Sequence, residues 1–202
     1  MACPDMAGHP AAGAGAGPPP GDAAAGSPQD GAADRETGAA LRGRSPGGGA
    51  GLRPEAEADG AFLFALFAAV QGGAFAGVDP GLAALLLRQG FAGQAAGYRA
   101  RYPRGRFAIV EHAGAPAGRL VTDRGAEAIT IVDLALMPES QGRGLGTALV
   151  RAVLDEARAA GLPVRLSVLA GNPAARRLYE RLGFTTVATS DLHHDLAWTP
   201  TP

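Results

Sequence analysis

Lysine is absent from all 202 residues, so every one of the 18 basic side chains is an arginine. A Walker A loop holds its phosphates with a lysine and a Schiff-base enzyme needs one as its amine, so both classes are excluded. Cysteine occurs once, as Cys3, which rules out an internal disulfide and a cysteine-built metal cluster. An excess of positive charge is also missing, since 18 basic and 19 acidic residues give a formal net charge of −1. A nucleic-acid partner held by phosphate neutralisation is therefore not expected, and the run Arg99, Arg101, Arg104 and Arg106 reads as a solvated face. The most apolar window, AFLFALFAAV at 61–70, is too short for a bilayer and is flanked by Asp59 and by Gln71, Gly72 and Gly73. No secretory leader is expected, because the N-terminus lacks a basic lead and a continuous apolar core. No metal site is expected either: His193 and His194 are adjacent on a predicted strand and point to opposite faces. These absences predict a cytoplasmic protein without membrane, nucleic-acid or metal partners.

Composition divides the chain near residue 50. Residues 1–49 are mostly Ala, Gly, Pro and Ser, with Leu41 almost the only large aliphatic side chain, and such a segment cannot bury enough apolar surface to offset chain entropy. We read it as a disordered tail, and residues 50–202 as one domain. That domain opens with a short strand at GLRPE, followed by a helix in which Leu63, Leu66, Phe67 and Val70 recur at helical spacing. A second helix begins near Leu82 and runs as far as Tyr102, weakened by Gly90, Gly93 and Gly97 and stopped by Pro103. FAIVEHAG at 107–114, GRLVTDRG at 118–125 and AITIVDLALMP at 128–138 read as three antiparallel strands, the first two joined by a short Gly/Pro turn.

The most informative stretch is MPESQGRGLGTALVRAVLDEARAAG, from Met137 to Gly161, in which an apolar run passes through a glycine-rich turn straight into an amphipathic helix. Gly142, Gly144 and Gly146 lack a β-carbon, so the amides of residues 142 to 147 can approach a phosphate closely, and the helix N-terminus adds partial positive charge. A nucleotide-type diphosphate is the natural guest. The helix is expected to bury Leu145, Ala148, Leu149, Ala152 and Val153, with Thr147, Arg151, Asp155 and Arg158 opposite, and to stop at Gly161. VRLSVLA at 164–170 then reads as a buried strand, Asn172 and Pro173 start a short helix ended by Gly183, and FTTVATS and LHHDLAW supply a final pair of strands. A dinucleotide-binding dehydrogenase fits poorly. Its G-x-G-x-x-G pattern needs a small residue where Thr147 stands, and VRLSVLAGN lacks the acidic residue that should end the next strand.

The segment from Ile131 to Phe184 resembles the GNAT superfamily of acetyl-CoA-dependent N-acetyltransferases. QGRGLG at 141–146 is similar to the family's pyrophosphate pattern, [Q/R]-x-x-G-x-[G/A], and NPAARRLYERLGF at 172–184 to its second signature, an Asn-initiated helix carrying a tyrosine and closing with Gly-Phe. The resemblance covers about three quarters of the chain and implies an α/β fold: a mixed, mostly antiparallel central sheet with helices on both faces. It further implies that Leu136 and Met137 meet the pantetheine arm of acetyl-CoA in a wedge between two parallel strands. Gln141, Gly142, Arg143, Gly144, Leu145, Gly146 and Thr147 would hold the diphosphate, and Asn172 and Tyr179 would also touch the cofactor. Tyr179 stands where many family members place a phenol beside the cofactor sulfur, and so is the candidate acid for the departing thiolate. Asp133, a carboxylate in a strand apolar on both faces, is the candidate base or substrate anchor, against a structural pair with an arginine; Glu139 is a second candidate base. Phe91, Gln94, Tyr98 and Tyr102 are candidates to line an acceptor pocket. The expected partners are acetyl-CoA and an amine, with a homodimer compatible, and the rival function is a catalytically idle acetyl-CoA-binding module.

Overall fold

Short apolar runs recur through 107–136, and in the computed structural model, which describes residues 50–201, this region forms the middle of one seven-stranded sheet, with its strands buried on both faces. The disordered tail read for residues 1–49 lies outside the described residues. In chain order the elements are β1 (Ala50–Pro54), α1 (Gly60–Gln71), α2 (Pro80–Arg101), β2 (Arg106–His112), β3 (Ala115–Arg124), β4 (Ile129–Leu136), α3 (Leu145–Ala160), β5 (Val164–Leu169), α4 (Pro173–Arg181), β6 (Thr185–Thr189) and β7 (His193–Trp198). The sheet order is β1-β2-β3-β4-β5-β7-β6. Every neighbouring pair is antiparallel except β4 and β5, which the α3 crossover makes parallel. The last strand therefore turns back to lie between β5 and β6, an order that pattern alone does not predict.

Strand alternation divides the core between two faces. Leu120, Ile129, Ile131, Leu134, Val164 and Leu166 pack with Leu145, Leu149, Val153 and Tyr179 under α3 and α4. On the other face Ala135 meets Leu66 of α1, and Val121 and Val132 meet Tyr98 of α2. Two details differ from the sequence reading. In α3 the buried stripe runs through Val150, Leu154 and Ala157 as well, while Ala148 and Ala152 are only half-buried, because helical spacing centres the sheet-facing stripe on Val153 and Ala157 and carries Ala148 and Ala152 past its edge. Pro116, read as part of the β2–β3 turn, lies within β3 opposite Glu111, and the turn is Ala113-Gly114, both at positive φ (52° and 79°).

The apolar helix is also longer than its ten-residue core. Short 3₁₀ turns at Glu57–Asp59 and Gly72–Phe75 extend α1 into a helical run over Glu57–Phe75, long and apolar enough, by length and composition, to cross a bilayer. Here Leu63 and Leu66 are buried, and Phe64 and Phe67 pack their rings against Phe91 of α2 at 5.6 and 5.8 Å.

Asp59 fastens this run to the sheet edge. Arg53 of β1 donates to both its carboxylate oxygens, at 2.7 and 2.6 Å, and the Ala56 amide donates to Oδ2 at 2.8 Å. The Arg53 bond, with help from the Ala56 amide, lowers the carboxyl from its ordinary 3.8 to about 2. A depressed folded-state value stabilises the protein in full above the ordinary pKa, and that contribution is lost as pH falls from 3.8 through 2. The stability difference between the wild type and Asp59→Asn, measured by urea unfolding, should hence be constant above about pH 5 and shrink steadily through this acid window. A pH-independent difference would show that the carboxylate's charge contributes nothing.

Candidate active site

The glycine turn of 141–146 builds a cradle of backbone. Gly142 and Gly144 sit at φ 72° and 79°, a left-handed conformation that non-glycine residues seldom adopt. No atom lies within 4 Å of where a β-carbon would project from either one, so the turn faces open space. Gly144 caps α3, and the first bond of that helix runs from the Ala148 amide to the Gly144 carbonyl at 3.0 Å. The amides of Leu145, Gly146 and Thr147 consequently point out of the helix end, where the aligned peptide dipoles favour an anion. Arg143 is exposed beside them and, among the described residues, has no ion-pair partner. Gln141 acts differently from its neighbours: its Nε2 donates to the Leu136 carbonyl at 2.9 Å and ties the turn back onto the end of β4.

Beside the cradle the sheet opens. β4 and β5 pair only from Ile129–Val164 to Ile131–Leu166, although β4 continues to Leu136 and β5 to Leu169. Past Ile131 the two strands part, and the wedge implied by the family resemblance is present. Leu136 lies along it. Met137 does so only in part, since its amide donates across the sheet to Ala117 at 2.9 Å and its side chain packs against Leu66 and Ala135. The Met137 amide is thus committed to β3.

A β-bulge marks the point of parting. The β3–β4 register steps from Val121–Asp133 to Thr122–Ile131, leaving Val132 without a partner of its own. The extra residue turns Val132 and Asp133 to the same face, Val132 into the Tyr98 cluster and Asp133 toward Arg119. Arg119 donates from Nε to Asp133 Oδ2 at 2.7 Å and from Nη2 to Gln94 Oε1 at 2.8 Å, and its guanidinium lies 5.5 Å from the Tyr98 ring centre. Asp133 is 1 % exposed and Arg119 7 %. The arginine partner that the sequence reading weighed against a catalytic role is therefore Arg119, and the pair lines a narrow cleft between α1 and the sheet together with Gln71 and Gln94. Removing one member strands the other as a buried charge. Asp133→Asn should accordingly lower the unfolding free energy by about 3–5 kcal/mol, whereas the double change Arg119→Met with Asp133→Leu should recover much of it. Chemical denaturation of the three proteins checks this, and equal losses in the single and double variants would contradict it.

Tyr179 and Asn172 reach this region from α4. The Asn172 side chain accepts from the Ala175 amide at 3.1 Å and caps the helix. Tyr179 is 1 % exposed in the core under α3 and α4, its ring edge-on to Phe184 with centroids 5.6 Å apart. Asp133 and Tyr179 hence lie on opposite faces of the sheet. Glu139 is exposed on a short turn over Pro138–Ser140. Of the four candidates for an acceptor pocket, Tyr98 is buried in packing and Phe91 stacks on α1, while Gln94 holds Arg119 and Tyr102 borders an open groove. Arg119 was not among the residues singled out from sequence, and Gln94, singled out for an acceptor pocket, accepts from it instead. The one signal for Arg119 was a charged residue at a core-facing position of an apolar strand.

A parallel pair that parts beside a left-handed glycine turn at a helix N-terminus gives this α/β protein a backbone site whose geometry suits an anion. Residues 83–184, half of the chain, match the profile of the acetyltransferase (GNAT) family, and the chain belongs to that family. Two curated relatives are named mycothiol acetyltransferase. The one from Beutenbergia cavernae is 52 % identical over 56 residues, 27 % of this chain and 19 % of that protein. The one from Nocardiopsis dassonvillei is 60 % identical over 48 residues, 23 % and 14 % respectively. The chain thus matches at most a fifth of the length of these relatives. Among solved structures, the PaiA N-acetyltransferase of Thermoplasma acidophilum, in complex with coenzyme A, superposes with a TM-score of 0.59 at 16 % identity, over 74 % of this chain and 98 % of that one. An acetyltransferase from Thermus thermophilus superposes at 0.56 with 23 % identity, over 75 % and 97 %. These likenesses are of fold: the mixed sheet with helices on both faces is shared across them.

Proposed function

We propose that this protein transfers the acetyl group of acetyl-CoA to a primary amine, of a small molecule or a protein N-terminus, by direct attack. The observation that carries the reading is the opening of β4 from β5 immediately beside the Gly142–Thr147 cradle. The backbone amides of Leu145 to Thr147 and the Arg143 side chain hold the diphosphate, and the parted strands take the pantetheine arm. When bound, acetyl-CoA supplies an activated acyl group; the amine nitrogen bonds to its carbonyl carbon, the bond to sulfur breaks, and the one proton that the nitrogen loses passes to solvent, which also restores the phenol of Tyr179. Tyr179 supplies a proton to the departing sulfur. Asp133, already joined to Arg119, serves as an anchor that keeps the bulge in shape at the point of parting. Residues 50–202 form the working unit.

That commitment of Asp133 to Arg119 favours a second reading, in which the protein binds acetyl-CoA without turning it over. Free-CoA release and product mass, measured over a panel of amino acids, polyamines, aminoglycosides and peptide N-termini, separate the two. The transferase reading expects an acetylated product with one CoA released per acetyl group. Tight acetyl-CoA binding with no product from any class would establish the idle module instead.

A further inference from the structure

A groove of about 490 Å³ lies on the α1/α2 face of the sheet, along β5 and β7, and begins where β4 and β5 part. Tyr102, at the end of α2, and Val132, in the bulge of β4, border it. Its floor follows from alternation. Val164, Leu166 and Val168 turn into the core under α3 and α4, so Arg165 and Ser167 face the groove, and the register sets Ala197 opposite Arg165 and Asp195 opposite Ser167.

Arg165 and Asp195 are diagonal neighbours across this strand pair, about 7–8 Å apart at the backbone and within reach of long side chains. Both are exposed, and neither makes an ion pair with any described residue. Two opposite charges held on one wall and left unpaired fit a ligand that carries both signs. Their order along the groove gives the ligand a direction. Asp195 is level with Ser167, one residue beyond the last β4–β5 pair, while Arg165 lies one residue before it.

We infer that the acceptor is an amine that also bears a carboxylate, of the size of an amino acid or dipeptide. Asp195 gathers its ammonium form at the parting of the strands, where one proton passes to the solvent that reaches this exposed carboxylate and leaves the neutral nitrogen to attack, and Arg165 clamps the carboxylate through two parallel N–H bonds further along the groove. A volume of about 490 Å³ falls within the usual range of small-molecule sites. This assignment rests on the acetyltransferase reading, which places the acyl group at the parting.

The test uses the full chain, acetyl-CoA, and matched probes that differ only in the carboxylate: leucine against leucinamide, and glycylleucine against its amide. The acids should exceed the amides in kcat/KM by about tenfold or more, the equivalent of one charged hydrogen-bonding contact. Arg165→Gln, on an exposed strand position, should bring that ratio close to one, and Asp195→Asn should raise KM for the acids. Amides that match the acids in the wild type, a ratio that survives Arg165→Gln, or acetyl-CoA binding without acetylation of any acid would each overturn the inference. So would Arg165→Gln dissociating a dimer, since the charge would then serve a contact between chains. Calorimetry with acetyl-CoA alone keeps the outcomes distinct: failure there sinks the transferase reading itself, whereas normal binding with no acid preference sinks only the acceptor assignment.

Discussion

Gly144→Asp is expected to weaken acetyl-CoA binding by at least about 100-fold while leaving the protein folded. Gly144 lies at φ 79°, and no neighbouring side chain or strand stands within 4 Å of the site of a new β-carbon, so a side chain there stands in open space beside the amides of the turn. Aspartate tolerates the left-handed conformation better than most residues, which limits the cost to the fold. Its carboxylate, however, meets the diphosphate at close range. Two like charges at 4 Å near a protein surface repel by about 4 kcal/mol, more than enough for the expected loss. Gly144→Asn has nearly the same shape and no charge, and should keep most of the affinity. Calorimetry on both variants separates charge from backbone strain, with thermal melts to confirm folding. An Asp variant that binds like the wild type would move the cradle elsewhere.

Tyr179→Phe should lower turnover by about 100-fold with acetyl-CoA affinity nearly constant, because the change removes the hydroxyl that carries the transferable proton and keeps the ring. The ring itself is core: 1 % exposed, edge-on to Phe184, at the heart of the cluster under α3 and α4. Phenylalanine retains those contacts, so melting temperature should change little. A merely packed tyrosine predicts the opposite division, an unaltered rate at saturating amine. Initial rates across an acetyl-CoA series, with an acceptor from the amine panel, give kcat and KM separately and decide between the two.

The parts of this site that could be read in advance are those whose message is local. Gly144 and Gly161 bound α3 through their own backbone conformations, at φ 79° and 66°, and Asn172 starts α4 through a bond to an amide three residues on. Each needs only its near neighbours, so a short stretch of sequence reveals it. The Arg119–Asp133 pair does not have that property. It joins residues on facing strands, and a bulge at Val132 must shift the register before the carboxylate faces the guanidinium. Periodicity carries no mark of such a bulge, because Val132 and Asp133 both sit in an otherwise continuous apolar run. The sheet order fails for a related reason. That β7 enters between β5 and β6 depends on Leu196 and Trp198 reaching the core beside Val164 and Leu166, a contact made at long range. The amide of Met137 faces β3, a direction set by the pairing of β3 with β4 rather than by its own residue type, and so not legible in sequence.

Acetyl transfer by this fold requires the diphosphate at the turn of 142–147 and the acyl arm between the parted strands. Amide chemical shifts of isotope-labelled protein, recorded through a titration with acetyl-CoA, report that placement residue by residue. The largest saturable changes should fall on Gly142 to Thr147, on Leu134 to Leu136 along the open side of β4, and around Asn172, with little change in β1 and β2. Shifts concentrated on α1 or the β1–β2 edge, or no saturable change at all, would contradict it.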